Sequence, residues 1–235
     1  MSTYLEMCQD AARESGTVSN IGQPETTTGQ TGRLLRILKW VTLAYEKIQR
    51  EQNAWRWMHD DFSAETVAAV QVYDAEAMGI SERFSRWVVY DDEGENQFSI
   101  YKTSEGPETE GFLNFVEWTW FRRHLLTGGE ATRQDKPCYF TIDTANRLRL
   151  WPIPDAAYTV RGVYYKAPQK LTQDDDIPEM PEEFHEAIVW RALMLLGQFD
   201  EAFAQYGPWK SEFDKAMDDL RLHQLPRIKL PGALA

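Results

Sequence analysis

Met180-Pro-Glu-Glu-Phe-His-Glu-Ala-Ile-Val-Trp-Arg-Ala-Leu-Met-Leu-Leu-Gly-Gln-Phe-Asp-Glu-Ala-Phe203 decides how the rest of the chain is read. Phe184, Ile188, Ala192, Leu195, Phe199 and Phe203 fall on one stripe at the helical period, and Pro181 stands where a first-turn proline loses no hydrogen bond. The spacing predicts a long helix, broken at Gly207 and Pro208. Trp209, Phe213, Ala216, Met217 and Leu220 then predict a second amphipathic helix, with no stripe extending past Leu222, antiparallel to the first because the connection is short. Both need apolar partners from elsewhere in the chain.

The amino end supplies them. Tyr4, Leu5, Cys8, Ala11 and Ala12 recur at helical spacing, and a polar loop rich in Gly and Thr follows from Gly16 to Thr31. From Gly32, the residues Leu34, Leu35, Leu38, Val41, Tyr45 and Ile48 line one face of a helix that runs to about Asn53. Trp40 and Leu43 lie off that stripe, which gives the helix an apolar surface wide enough for packing on two sides.

Between the helical ends the period changes. Thr66 to Tyr73, Arg86 to Tyr90, Gln97 to Lys102, Cys138 to Ile142, Arg147 to Trp151 and Tyr158 to Lys166 are short and rich in aromatic and β-branched residues, as strands are. Asp91 to Gly94 and Thr144 to Asn146 punctuate them as hairpin turns. One helix is expected from Trp118 to Leu126, with Arg122, Arg123 and His124 near its carbonyl end and Gly128 and Gly129 after it. The fold class is therefore α+β: a helical bundle built from residues 1–54 and 167–223, a β-rich, sandwich-like insertion at 55–166, and an extended tail at 224–235. The two helical ends bury their stripes only by packing together across the insertion.

With 235 residues, the chain suits one domain carrying a large insertion better than two independent cores. Its 37 acidic and 25 basic side chains give a net charge of −12, which excludes a body that grips nucleic acid or an anionic membrane over a broad basic face. Cys8 and Cys138, the two cysteines, form no metal-site spacing and fit a reducing compartment. Met1 to Asp10 lacks the basic and apolar blocks of a secretory signal, and the most apolar stretch, Ala187 to Phe199, contains Arg191 and is too short to span a bilayer. The expectation is a protein made in the cytoplasm that has no membrane partner.

Candidate chemistry is sparse. Gly29-Gln-Thr-Gly-Arg33 precedes a helix but has neither the lysine nor the preceding strand of a phosphate loop, so it reads as a capping loop. Asp174-Asp-Asp176 lacks the alternate spacing of a calcium loop and reads as a solvated turn at a helix amino end. His59-Asp60-Asp61 and His185-Glu186 are the close histidine and carboxylate pairs, without the repeat a metal site uses, and no nucleophile elbow or HExxH occurs. The expectation is no catalysis, no cofactor and no metal, the alternative being an unrecognised metal-dependent enzyme using His59, Asp60 and Asp61.

Nine tryptophans are the compositional oddity. Trp55 and Trp57, like Trp118 and Trp120, stand two apart and would share a face if each pair lay on a strand, so a carbohydrate-binding structural protein is a second alternative. Core or subunit interface uses the same spacing and is favoured. Trp190 lies off the main stripe of its helix and joins Trp40 and Leu43 as candidates for a subunit interface.

Gly32-Arg-Leu-Leu leading to Ala44-Tyr-Glu-Lys-Ile-Gln-Arg50 and Trp55-Arg-Trp57, then Leu148-Arg-Leu-Trp-Pro-Ile-Pro154 with Tyr158, then Tyr164-Tyr-Lys166 and Met180 to Ala192, resembles the head-to-tail adaptor proteins of tailed bacteriophages. These are fold-bearing residues, so the resemblance rests on order and spacing over most of the chain. It implies a virion neck protein: a helical bundle interrupted by a β domain, assembled as a homo-oligomeric ring of twelve subunits beneath the portal protein. The ring continues the channel for genome DNA, which passes without specific binding, toward a downstream tail or nozzle protein. A net negative wall suits a conduit through which a polyanion slides. The tail from Gln224 to Ala235 carries Arg227 and Lys229 and no acid, with Leu225, Ile228 and Leu230 between them, and is the candidate portal contact because such a peptide can enter a groove or add to a sheet edge.

Overall fold

The computed structural model describes residues 2–17, 22–52, 54–201 and 203–226, with the side chain of Phe203 left aside. The chain divides into two compact units, Met1–Met58 together with Pro168–Ala235, and His59–Ala167. It is an α+β fold with helices toward both ends and the β region in the middle.

The first unit is helical. α1 (Tyr4–Glu14) starts at Thr3, whose hydroxyl accepts from the Glu6 amide while the Glu6 carboxylate accepts from the Thr3 amide, a reciprocal cap. α2 (Gly32–Glu51) buries Ile37, Leu38, Val41, Ala44, Tyr45 and Ile48. The expected stripe is shifted toward Ile37 and Ala44, and Leu34 and Leu35 at its entry are only half-buried. Where α2 ends, Trp55 is fully buried and its indole N–H donates to the Ile48 carbonyl at 3.0 Å, satisfying one of the carbonyls a helix end leaves open. Gln49 is also buried: its amide accepts from the Gln169 N–H at 2.7 Å and donates to the Gln169 carbonyl at 2.9 Å, so one side chain pairs with the returning backbone as a strand would.

After residue 167 the chain re-enters this unit. α3 (Trp118–Leu125) belongs to the β unit; the helical unit continues with α4 (Glu186–Phe199) and α5 (Phe203–Gln224). α4 packs against α1, α2 and α5 and buries residues on nearly every side, Ala187, Ile188, Val189, Ala192, Leu193, Met194, Leu196 and Gly197 among them. A helix apolar all round is a core helix, and α4 is the centre of this unit.

The break after it falls earlier than the sequence implied. Glu201 takes the left-handed conformation (φ +55°) and turns the chain, while α5 runs through Gly207 and Pro208. The proline lies in the second turn of α5, where its missing N–H costs one intrahelical bond near an end rather than in the middle. Asp200 reinforces the reversal through an ion pair with Arg33 at 2.6 Å. Phe199, expected on the buried stripe, is accordingly 54% exposed at the rim. The carboxyl end of α5 also differs from expectation: Leu222 is exposed and Gln224, the last residue of the helix, is buried.

The second unit is a pair of sheets over one core. The strands are β1 (His59–Glu65), β2 (Val72–Tyr73), β3 (Phe84–Val88), β4 (Ser99–Lys102), β5 (Gly111–Phe112), β6 (Asn114–Phe115), β7 (Gln134–Asp135), β8 (Tyr139–Ile142), β9 (Leu148–Trp151), β10 (Ile153–Pro154) and β11 (Tyr158–Lys166). β11 is the spine of the larger sheet. β1 pairs antiparallel along one edge of it, from His59 opposite Tyr165 to Glu65 opposite Thr159. Its other edge is shared, residues 163–166 pairing with β3 and 158–161 with β4, and β5 adds to β4. The smaller sheet has the order β2-β9-β8-β6, and β7 and β10 form a parallel pair. Phe62, Trp87, Phe98, Ile100, Val160 and Tyr164 from the first sheet meet Tyr73, Phe140, Leu148 and Leu150 from the second in one hydrophobic cluster, the arrangement of a sandwich.

Two strand expectations need correction. His59–Glu65 is a strand that hydropathy does not reveal, because Phe62 is its only buried residue. Of Thr66 to Tyr73, only Val72–Tyr73 is strand. The preceding residues form a tight loop in which the Tyr73 hydroxyl accepts from the Val67 N–H at 3.1 Å and donates to the Val70 carbonyl at 2.8 Å, with Ala69 at φ +65°.

Candidate assembly surfaces

Trp40 and Phe199 form an aromatic pair at the edge of the helical unit, ring centroids 5.5 Å apart, with the Arg36 guanidinium 4.3 Å from the Phe199 ring. Leu43, one turn further along α2, is 39% exposed and borders a shallow groove with Tyr4, Leu35 and Thr42. Trp190 stands apart from these residues. It is half-buried and lines a cavity of about 220 Å³ between α1 and α4 with Met7, Asp10, Glu14 and His185. Trp190 and Phe199 are nine positions apart on α4, which at 3.6 residues per turn puts them on opposite faces. The helical unit therefore offers partly covered aromatic surface on two sides. Of the expected tail contacts, Leu225 is half-buried with its N–H donating to the Arg221 carbonyl at 2.9 Å. Arg227, Ile228, Lys229 and Leu230 lie outside the described residues.

The histidine and carboxylate pairs do not converge. Strand alternation sends His59 and Asp60 to opposite faces of β1. His59 is edge-on to Tyr165 at 5.2 Å, its pKa lowered first by burial and then by Arg86, whereas the Asp60 carboxylate accepts from the Tyr164 hydroxyl at 3.3 Å. His185 is buried with Nε2 2.9 Å from the Met180 carbonyl, while Glu186 beside it is exposed. Among the described residues no group of three or more His, Cys, Asp or Glu side chains is placed to hold a metal ion.

The polar motifs hold the fold together. Asp174 accepts from the Thr27 N–H at 2.6 Å and from the hydroxyls of Thr27 and Thr26, and Asp176 accepts from the amides of Thr172 and Gln173. These bonds lower the pKa of both carboxyls. The backbone carbonyls of the same two residues accept the first N–H groups of α1, from Tyr4 at 2.8 Å and Leu5 at 3.2 Å. The acidic turn thus stands at the amino end of α1, a helix remote in sequence. Arg33, at the end of the glycine-bearing loop, donates to the Thr17 hydroxyl at 2.8 Å as well as pairing with Asp200.

Neither tryptophan pair makes a shared platform. Trp55 is buried with Trp57 stacked on it at 4.6 Å, in a 3-10 turn rather than a strand. Trp118 and Trp120 are on α3, where a spacing of two points them apart. Trp120 is 43% exposed and stacks on His124 at 4.6 Å; Trp118 is half-buried, with the Arg149 guanidinium 5.1 Å from its ring.

The β8–β9 hairpin contains a feature that sequence reading missed. Asp143, its side chain 2% exposed, accepts from the Ala145 and Arg147 amides and from the guanidinium groups of Arg147 and Arg149. Burial alone raises such a carboxyl, but these donors outweigh it and bring the pKa down to about 2. Asn146, at φ +59° in the turn, donates from its side chain to the Ser85 carbonyl and accepts from the Trp87 indole at its own carbonyl, so the hairpin is bolted to β3. The signal in the sequence was an Asp-x-x-Asn turn followed by two arginines.

No helix among the described residues is long and apolar enough to cross a membrane. No curated protein matches the chain. A molecule of fold-bearing aromatics, internally satisfied acids and surfaces on two sides of a central helix is what a structural linker requires, and the family model described as SU10 adaptor protein matches residues 2–232, so the chain belongs to that family, a phage head-tail adaptor.

Proposed function

We propose that copies of this chain assemble into a ring in the virion neck, a passive structural joint that receives the portal on one side and the tail or nozzle on the other.

 The observation that carries this reading is the placement of Trp190 and the Trp40–Phe199 pair on opposite faces of α4, because a subunit in a closed ring meets a neighbour on each side. The ring continues the DNA channel, and a chain of net charge −12 lets a polyanion slide past without adhering. Twelve copies match the stoichiometry that the resemblance implies. The chain's contribution is geometry, with no reaction and no cofactor. The tail beyond Pro226 is the portal anchor in this reading.

The test is to mix the purified chain with its cognate portal and image the product by electron microscopy. The expected product is a twelve-fold ring of adaptor on one end of the portal, with an open axial channel. A portal that binds no adaptor, or binds scattered single copies even at excess, overturns the reading.

A further inference from the structure

The β unit carries opposite charges in two places. The first is α3, which ends in Arg122, Arg123 and His124. Basic residues suit a helix carbonyl end on electrostatic grounds alone, so their sign carries no argument by itself. Their surroundings do. Arg122 and Arg123 are exposed, and among the described residues neither meets a carboxylate. They line a concavity of about 690 Å³ with Trp118, Thr119, Thr127 and Arg149. The exposed Trp120 stands on the same short helix, and arginine beside partly exposed tryptophan is the composition of interface hot spots.

The second place is the β3–β4 hairpin, whose tip, residues 91–95, carries four acids. The tip is a built turn. The Asp91 carboxylate accepts from the Glu93 and Glu95 amides at 2.8 and 2.9 Å, Gly94 takes φ +86°, and Tyr90 bridges to Asn96 below it. Asp92 and Glu95 are exposed, and Tyr90 beside them is 50% exposed with its ring edge-on to Phe115. Asp174 and Asp176 are engaged by threonine and amide donors, whereas at the hairpin tip Asp92 and Glu95 present exposed side chains.

We propose that the acidic hairpin tip of one copy docks in the arginine-lined concavity on α3 of the next. Two unlike, complementary surfaces on one chain make a head-to-tail contact, the type that generates a ring when the rotation between copies closes. The inference rests on the ring reading above and names the surfaces that would join its β units. A second copy is favoured over nucleic acid because the whole chain repels a polyanion, whereas the tip offers carboxylates on a rigid turn that fits a concave, basic surface. The net charge also sets the conditions. At about 0.1 M salt the Debye length is ~10 Å, so repulsion between whole copies is screened while contacts at ~4 Å persist.

The test is sedimentation velocity of the free chain over a concentration series at ~0.1 M salt, with circular dichroism confirming that each variant is folded. R122E/R123E and D92K/E95K should each weaken self-association by about tenfold or more. Mixed together, the two variants should associate again, because each then supplies the sign the other lacks, and the quadruple variant should associate with itself. Should a glutamate variant fail to fold, R122Q/R123Q reads the same contact with a smaller loss. Equal association of all variants, no recovery on mixing, or a wild-type chain that stays monomeric at its highest soluble concentration overturns the proposal. So does retention of a DNA fragment by Arg122 and Arg123 without self-association, which assigns the concavity to phosphate. Failure of the ring reading shows separately, as absence of adaptor on the portal.

Discussion

The Phe62 ring closes over Gly162, its register partner across β1 and β11, so that a β-carbon at position 162 would stand 2.8 Å from one Phe62 ring atom and 3.1 Å from the Phe98 ring. A glycine inside a strand forfeits side-chain packing, and here the aromatic opposite fills the gap. Gly162→Ala forces both rings aside and is expected to destabilise the protein by about 1–2 kcal/mol, overpacking outweighing the entropy that alanine removes from the unfolded chain. Denaturant unfolding measures it. Phe62→Leu in the Gly162→Ala background should recover part of the loss; equal or additive losses would mean the rings are not the obstacle.

Asp143 makes a pH prediction. Its folded pKa of about 2 lies below the ordinary carboxylate value of 3.8, so its contribution is fully present above pH 4 and is lost as pH falls toward 2. That contribution is about 2 kcal/mol, the shift converted at 1.36 kcal/mol per unit. Asp143→Asn should lower stability at pH 7 and flatten the pH dependence between 4 and 2. An unchanged slope in the variant would place the acid sensitivity on other carboxyls.

The aromatic surfaces of the helical unit separate assembly from folding. Phe199→Ser removes an exposed ring from the end of α4 and is expected to change stability by less than about 1 kcal/mol while reducing ring formation on the portal. Trp190→Arg should likewise reduce assembly more than melting temperature, since the cavity beside it has room and its rim carries Asp10 and Glu14. Equal loss of melting temperature and assembly would identify Trp190 as a core residue.

The tail can be removed cleanly only beyond α5. Deleting residues 227–235 leaves the buried Gln224 and the Leu225 amide bond in place, so the melting temperature should stay within about 2 °C. Portal binding should fall sharply in the truncated chain, and in the full chain it should weaken with salt as Arg227 and Lys229 are screened. Undiminished binding by the truncated chain would move the anchor to the helices.

Much of this architecture was legible because its signals are local. The stripe of α2, the helix at Trp118 and the strand at Tyr158–Lys166 follow from period and turn chemistry alone. β1 escaped because it is an edge strand with one buried residue, and an edge strand need not alternate visibly. The break at Glu201 escaped because a non-glycine residue takes the left-handed conformation there and the ion pair that reinforces it, Asp200 to Arg33, is remote in sequence, whereas the proline that suggested a break is tolerated in the helix. The Trp118 and Trp120 pair makes no platform because a spacing of two shares a face on a strand but not on the helix that the sequence also predicts there. Trp40, Leu43 and Trp190 read as off-stripe in the sequence, and period alone does not tell that the Trp40–Phe199 pair and Trp190 lie on different sides of α4.

The helical unit is discontinuous: α1 and α2 precede the β unit, whereas α4 and α5 follow it. During synthesis, the amino-terminal helices leave the ribosome with their stripes uncovered and wait until the central helix has been made. At about 5–20 residues per second the delay is on the order of ten seconds, long compared with the time a helix needs to form. For that interval the apolar stripe of α2 has α1 beside it but not the central helix that completes its cover, which makes the nascent chain a natural client for a chaperone.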